Sequence, residues 1–76
     1  MRTTRDWQAL AKGAIRAELA RRQLGYRELS ERLAAIGVKE NERNLSNKIG
    51  RGTFSAVFFF QCMEALGIHT IHLNGD

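Results

Sequence analysis

One short polar segment, at about residues 41–49, carries the side chains best suited to recognising another molecule. Only Leu45 and Ile49 are apolar there, four residues apart. On a helical wheel stepped by about 100° per residue, with Leu45 at zero, these two side chains point inward near ~20°. The residues that point outward, at about 160–240°, are Arg43, Asn47, Glu40 and Arg51. The spacing predicts a helix that presents polar side chains on a face its own core does not use.

The side chains of this segment suit double-stranded DNA. An arginine can form two hydrogen bonds with a guanine edge, and an asparagine can do so with an adenine edge. Lysine and serine side chains can contact phosphates. Short polar helices also occur on the surfaces of many proteins, so the segment alone leaves DNA binding and an ordinary solvated face both open.

No other residues form a pattern with catalytic or metal-binding chemistry. Cys62 is the single cysteine and, with His69 and His72, cannot complete a four-ligand zinc site. The two histidines are three apart in a segment expected to be extended, where they would face opposite sides. Cys62 is expected to be a small buried apolar residue. We therefore predict no enzyme activity, no catalytic residue, no metal, no cofactor and no evident small-molecule substrate.

The chain of 76 residues predicts a single domain, 1–76, with 43% hydrophobic and 26% charged residues. Its apolar spacing predicts four helices, at about residues 5–23, 26–36, 41–49 and 55–66, and a short strand at about 69–73. The fold class is therefore all-α with a short C-terminal β-strand.

The first predicted helix carries an apolar stripe of residues four apart: Trp7, Ala11, Ile15 and Leu19. Trp7 is expected in the core, with Thr4 as N-cap. Gly13 costs about 1 kcal/mol in a helix interior, which a close contact with another helix would explain. In the second helix, Leu29, Leu33 and Ile36 should share one face, and Gly37 should end it in a left-handed conformation.

The fourth predicted helix is apolar on nearly its whole circumference, with Thr53 or Ser55 as cap. Such a helix must be covered nearly all round, and the strand at 69–73 has no partner within the chain. We predict a two-fold homodimer in which these elements meet. The expected interface residues are Phe58, Met63, Ile71 and Leu73.

Charge is unevenly placed along the chain. The net charge is +4, yet residues 53–76 contain no lysine or arginine. The basic first two-thirds could face a polyanion. No apolar run approaches the ~20 residues of a membrane span, so we expect no membrane partner and a cytoplasmic, nucleoid-associated location.

The order of these elements resembles the phage-repressor and Cro-type (XRE-like) helix-turn-helix domains. The segment from Asn44 to Gly52 is similar to the end of their recognition helix and its following loop, and Glu64 to Ile68 is similar to their last core helix. The chain also resembles small uncharacterised bacterial domains that share the pattern Asn-Lys-Ile-x-Arg-Gly-Thr-Phe, here residues 47–54.

The resemblance implies a compact, four-helix, lambda-repressor-like domain that acts as a sequence-specific transcriptional regulator. The helix at 41–49 would enter the major groove and the helix at 26–36 would cross the backbone. The implied base-contacting residues are Arg43, Asn44 and Asn47. The expected phosphate-contacting residues are Tyr26, Arg27, Ser46, Lys48 and Arg51.

Two alternatives to DNA reading remain open. Glu40 and Glu42 begin the polar helix and would repel phosphates, which favours a helix-turn-helix-shaped module that binds a protein. The same basic surface could instead bind RNA.

Overall fold

Four α-helices form the whole regular structure of the described chain. The computed structural model describes residues 6–71. The helices are α1 (Trp7–Arg21), α2 (Tyr26–Ala35), α3 (Glu42–Arg51) and α4 (Ala56–Ala65). The prediction of a compact, all-helical structure with four helices is confirmed, and the helix ends lie within two residues of the predicted ones.

The predicted C-terminal strand is wrong for the residues that the structure describes. Residues 69–71 form no strand, and residues 72–73, including Leu73, lie outside the described range. A strand requires hydrogen bonds to a neighbouring strand, and residues 6–71 contain none.

Short polar side chains begin three of the four helices. Asp6, Asn41 and Ser55 each accept a hydrogen bond from the backbone N–H three residues on, at 3.0, 2.7 and 3.0 Å. Ser55 was one of the two predicted caps of α4. Asp6 takes the position expected for Thr4, which itself lies outside the described residues, because its carboxylate reaches the free N–H groups of the first turn.

The core consists of one pair of residues, four positions apart, from each helix. Because residues four apart lie on one helical face, every helix directs one ridge inward. The pairs are Ile15 and Leu19, Leu29 and Leu33, Leu45 and Ile49, and Phe58 and Cys62; Met63 and Leu66 complete the cluster.

The N-terminal part of α1 extends past this core. Trp7 is 67% exposed, so the prediction of a core tryptophan is wrong. The reason is length: α1 has 15 residues and each of the other helices has 10, which adds about 7 Å at 1.5 Å per residue. Gly13 does not mark a close helix contact either, because a Cβ built there meets nothing within 4 Å.

Helix α2 ends one residue earlier than the spacing predicted. Ile36 follows its last residue and is 42% exposed, so it does not share the inward face of Leu29 and Leu33. Gly37 adopts φ +87°, the left-handed conformation predicted for it. No helix within residues 6–71 combines the length and apolar character needed to cross a membrane.

Candidate nucleic-acid interface

The outer face of α3 is polar and open to solvent. Leu45 and Ile49 are fully buried, as their spacing predicted, and they hold the helix against the core. The predicted contact residues that lie exposed on α3 are Arg43, Asn44, Ser46, Asn47 and Arg51. Among the described residues, no hydrogen bond or ion pair involves the side chains of Arg43, Asn47 or Arg51. Their donors and acceptors are available to a partner.

Lys48 differs from the other cations of α3. Its Nζ lies 2.6 Å from the Glu40 Oε2 and 4.8 Å from the centroid of the Phe58 ring. The two charged side chains are 33% and 14% exposed. Lys48 is one of the predicted phosphate contacts. In the structure its ammonium group already has partners within the protein, because it is paired with Glu40 and lies over an aromatic ring. The ion pair with Lys48 also neutralises the charge of Glu40, which is one of the two acids near the start of α3.

The connection between α2 and α3, residues 36–41, is held at both ends. The Ser30 hydroxyl donates to the Glu40 carbonyl oxygen at 2.6 Å. The Val38 N–H donates to the Leu33 carbonyl oxygen at 2.9 Å, and the Val38 side chain packs against the core. These contacts, with the Asn41 cap, position the first turn of α3 relative to α2.

Two cations of α1, Lys12 and Arg16, lie where the C-terminal end of α3 meets α1 and the start of α2. We call this pair the basic junction. The Lys12 Nζ donates to the Gly50 carbonyl oxygen at 3.3 Å. The last carbonyls of a helix have no partner within it and carry partial negative charge, so a lysine there is favourable. The Arg16 Nε donates to the Tyr26 hydroxyl at 3.3 Å. The Arg16 guanidinium also lies beside Gly50, 3.8 Å from a Cβ built there.

Lys12 and Arg16 were not among the contact residues that the sequence indicated. They lie four residues apart on α1, so their shared face could have been found from spacing. Their placement beside the end of α3 depends on how the helices pack. Tyr26 was predicted to contact phosphate; it is half-buried, and its hydroxyl accepts from Arg16 while keeping its own proton to donate.

Two groups of cations elsewhere lie beside acidic side chains, one in a close pair and one in a weak pair. Arg21 and Arg22 pair with Glu18 at 2.9 and 2.6 Å, and their hydrogen bonds lower the pKa of that carboxyl below its ordinary value. Arg27 lies 3.3 Å from Glu28, but the pair is well exposed and weak. The pKa of Glu28 is lowered chiefly by the Gly25 backbone N–H, which donates to it. Arg27 is therefore still available at the start of α2.

Two of the four predicted dimer residues are buried within a single copy of the chain. Phe58 and Met63 are each 4% exposed and belong to the core of one copy, so neither can form the surface of an interface. Ile71 is 38% exposed, and Leu73 lies outside residues 6–71. The large apolar residues of α4 that point outward are Val57 and Phe60. These two residues share one side of α4 with Gln61 and Glu64, which are the only polar residues of that helix.

Cys62 is fully buried, as predicted, and burial raises the pKa of its thiol to about 12 from an ordinary value of 9.0. Within residues 6–71 no three His, Cys, Asp or Glu side chains come together as a metal site. His69 is exposed, and His72 lies outside the described range.

The raised pKa of Cys62 leads to a testable prediction, because only the thiolate form of a cysteine is nucleophilic. At pH 8 the folded protein is expected to react with iodoacetamide about 1,000-fold more slowly than the chain unfolded in urea, from the pKa difference alone. Since the folded pKa is the higher one, the protonated thiol contributes stability that is present below pH 9 and is lost as pH rises toward 12. Mass spectrometry of the alkylated chain measures the rates. Equal rates in the folded and unfolded states would contradict the burial of Cys62.

The comparisons with known proteins give a family and no relatives. The family DUF6471, described as a domain of unknown function, matches residues 7–71. The chain belongs to this family. The match runs from the first residue of α1 past the end of α4, so the DUF6471 domain includes all four helices and the basic junction. No curated protein and no solved structure matches the chain.

Proposed function

We propose that this DUF6471 chain is a sequence-specific, double-stranded DNA-binding transcriptional regulator that acts as a homodimer. In this proposal α2 and α3 are the two helices of a helix-turn-helix, and α3 enters the major groove. The observation that carries the proposal is the open polar face of α3, with Arg43, Asn47 and Arg51 unpaired within the described chain, beside the basic junction.

Each part of this surface has a distinct task in the proposed complex. Arg43 can fork onto a guanine, and Asn44 and Asn47 can each pair with an adenine edge. Arg51 and Arg27 contact phosphates, and Ser46 lies on the flank of the helix where a backbone oxygen can be reached. Such contacts to bases supply sequence preference, whereas those to phosphates supply affinity and register.

The basic junction adds phosphate contacts that the sequence did not indicate. The Lys12 Nζ is held by its hydrogen bond to the Gly50 carbonyl oxygen, and the Arg16 Nε by its hydrogen bond to the Tyr26 hydroxyl, each at 3.3 Å. A side chain that is already oriented loses less conformational entropy when it binds a phosphate. The junction therefore supports a fixed docking position for the C-terminal end of α3.

The acids near the start of α3 do not oppose this arrangement. Glu40 is neutralised by Lys48 at 2.6 Å. Glu42 lies near ~60° on the wheel that places Asn47 near ~200°, so the two residues start from different faces of α3. Electrostatic repulsion of phosphates by these two residues is reduced at the surface where DNA is proposed to bind.

Selection from a random duplex library tests the proposal, with purified protein at about 0.15 M salt. Enrichment of an inverted repeat is the expected result, with half-sites about one helical turn apart. Single-stranded and RNA competitors should not displace the selected duplex. Absence of any enriched sequence would overturn sequence-specific DNA binding.

Asn47→Ala should relax sequence preference by about 1–3 kcal/mol at one base pair, because it removes a bidentate contact to a base edge. Arg51→Ala is the matched control on the same face and should weaken binding to all sequences about equally. Fluorescence anisotropy with the selected and scrambled duplexes measures both. If Asn47→Ala keeps the wild-type ratio of affinities for the two duplexes, α3 is not the reading helix.

A further inference from the structure

The exposed large apolar side chains of residues 6–71 are gathered on one side of the molecule. Two adjoining grooves contain all of them, and Phe60 of α4 lines both grooves. We call this surface the Phe60 band. Its exposed residues are Trp7, Leu10, Ile36, Val57, Phe60 and Ile71.

We propose that the Phe60 band is the surface on which a second copy of this chain docks. A monomeric protein rarely exposes a contiguous apolar patch of this kind without a binding function. The identity of the partner follows from two properties of the band, its area and its lack of positive charge.

The area fits the needs of a small homodimer. An aromatic side chain buries about 150–250 Å² when it is fully covered. Trp7 and Phe60 are 67% and 59% exposed and together offer about 200–300 Å². A standard interface buries about 800 Å² on each partner, of which about 65% is apolar in homodimers. The two aromatic residues supply about half of that apolar area, and the four aliphatic residues of the band add to it.

The charge pattern favours an identical partner. Each copy carries a net charge of +4, so two copies repel each other if their basic surfaces meet. No lysine or arginine lines either groove of the band, and Glu64 is the one charged residue there. The band therefore allows two basic chains to approach without placing cations against cations.

The groove between α1 and α4 can receive an aromatic ring. It has a volume of about 380 Å³, and its α1 side includes Ala11 and Ala14, whose short side chains leave space. Phe60 lies at the rim of this groove and is exposed. In a two-fold arrangement, Phe60 of each copy inserts into the groove of the other, which makes a closed and self-complementary contact.

This inference deepens the proposed function, because it names the surface that would join two DNA-binding units. No residue of α3 lines either groove, so both polar faces stay open in the dimer. The test below contains no DNA. The dimer can therefore fail while DNA binding by one copy survives, and the two failures can be told apart.

Sedimentation equilibrium of the full chain from about 1 to 100 μM tests the inference. The wild type should show a monomer–dimer equilibrium, and Phe60→Glu should raise the dimer dissociation constant at least about 30-fold, as expected for a central aromatic residue. Ala20→Glu is the control: it adds the same charge at an exposed position of α1 outside the band. It should leave the equilibrium unchanged.

A second measurement uses the wild-type chain alone. Trp7 is the single tryptophan of the sequence, so its emission reports on the band. The emission should shift to shorter wavelength as the chain is concentrated through the dimer transition. A monomer at every concentration, or an Ala20→Glu effect equal to that of Phe60→Glu, would overturn the inference and leave the band to a different protein. Circular dichroism confirms that both variants are folded.

Discussion

Gly52→Ala is expected to destabilise the fold by about 2–5 kcal/mol, a large part of the stability of a domain of this size. Gly52 ends α3 at φ +71°, a conformation that costs an L-residue about 1–2 kcal/mol. A Cβ at this position would also lie 2.6 Å from the Gln8 carbonyl oxygen. Because that atom belongs to the backbone of α1, the contact cannot be relieved by a change of rotamer.

Substitutions at two further glycines separate the cost of a positive φ from the cost of the steric clash with α1. Gly37 has φ +87° with open space around it, so Gly37→Ala should cost only the conformational part, about 1–2 kcal/mol. Gly13 lies inside α1 with no atom within 4 Å of a built Cβ, so Gly13→Ala should stabilise the protein by about 1 kcal/mol. Urea unfolding followed by circular dichroism measures all three. If the free energy of unfolding of Gly52→Ala is no lower than that of Gly37→Ala, a side chain at position 52 does not clash with the backbone of α1.

The position of Gly52 connects stability with the candidate site. Its contact with Gln8 and the Lys12 hydrogen bond to Gly50 both attach the C-terminal end of α3 to α1. Arg51 lies between these two attachment points in the sequence. A bulkier residue at 52 should therefore displace the basic junction as well as weaken the fold.

The second large effect is on affinity for DNA, which should fall about 10,000-fold between 50 and 200 mM salt. Each copy offers four cations for phosphates in the proposed complex: Lys12, Arg16, Arg27 and Arg51. Two copies then neutralise about eight phosphates, and the logarithm of the binding constant should fall with the logarithm of salt at a slope near −7. Fluorescence anisotropy across a salt series measures the slope.

Variants of single cations check which residues produce this slope. Arg16→Gln should reduce its magnitude by about 2 in the dimer, one phosphate for each copy. Arg21→Gln is the matched control, because Arg21 is paired with Glu18 at 2.9 Å and does not belong to the basic junction. A wild-type slope shallower than about −2, or equal changes in the two variants, would contradict the proposed phosphate contacts.

Much of the fold could be predicted from residues that are close together in the sequence. Pairs of apolar residues four apart indicated α2 and α3 and their buried faces, since helical periodicity is a local property. The polar outer face of α3 followed from Leu45 and Ile49 alone. The burial of Cys62 followed from its position in an apolar helix. The strand at 69–73 was predicted from alternation, which describes a possible face but supplies no hydrogen-bonding neighbour.

What the tertiary structure decided depends on contacts between distant parts of the chain. Lys12 and Gly50 are 38 residues apart, so no local pattern could predict that their helices meet there. Lys48 has polar neighbours on α3, and only the fold brings it to Glu40 and over Phe58. In α4 only Gln61 and Glu64 are polar, so the sequence determined that most of the helix is buried. Its packing against α1 and α2 decided that Phe58 is covered, whereas Phe60, on the side of Gln61 and Glu64, stays exposed.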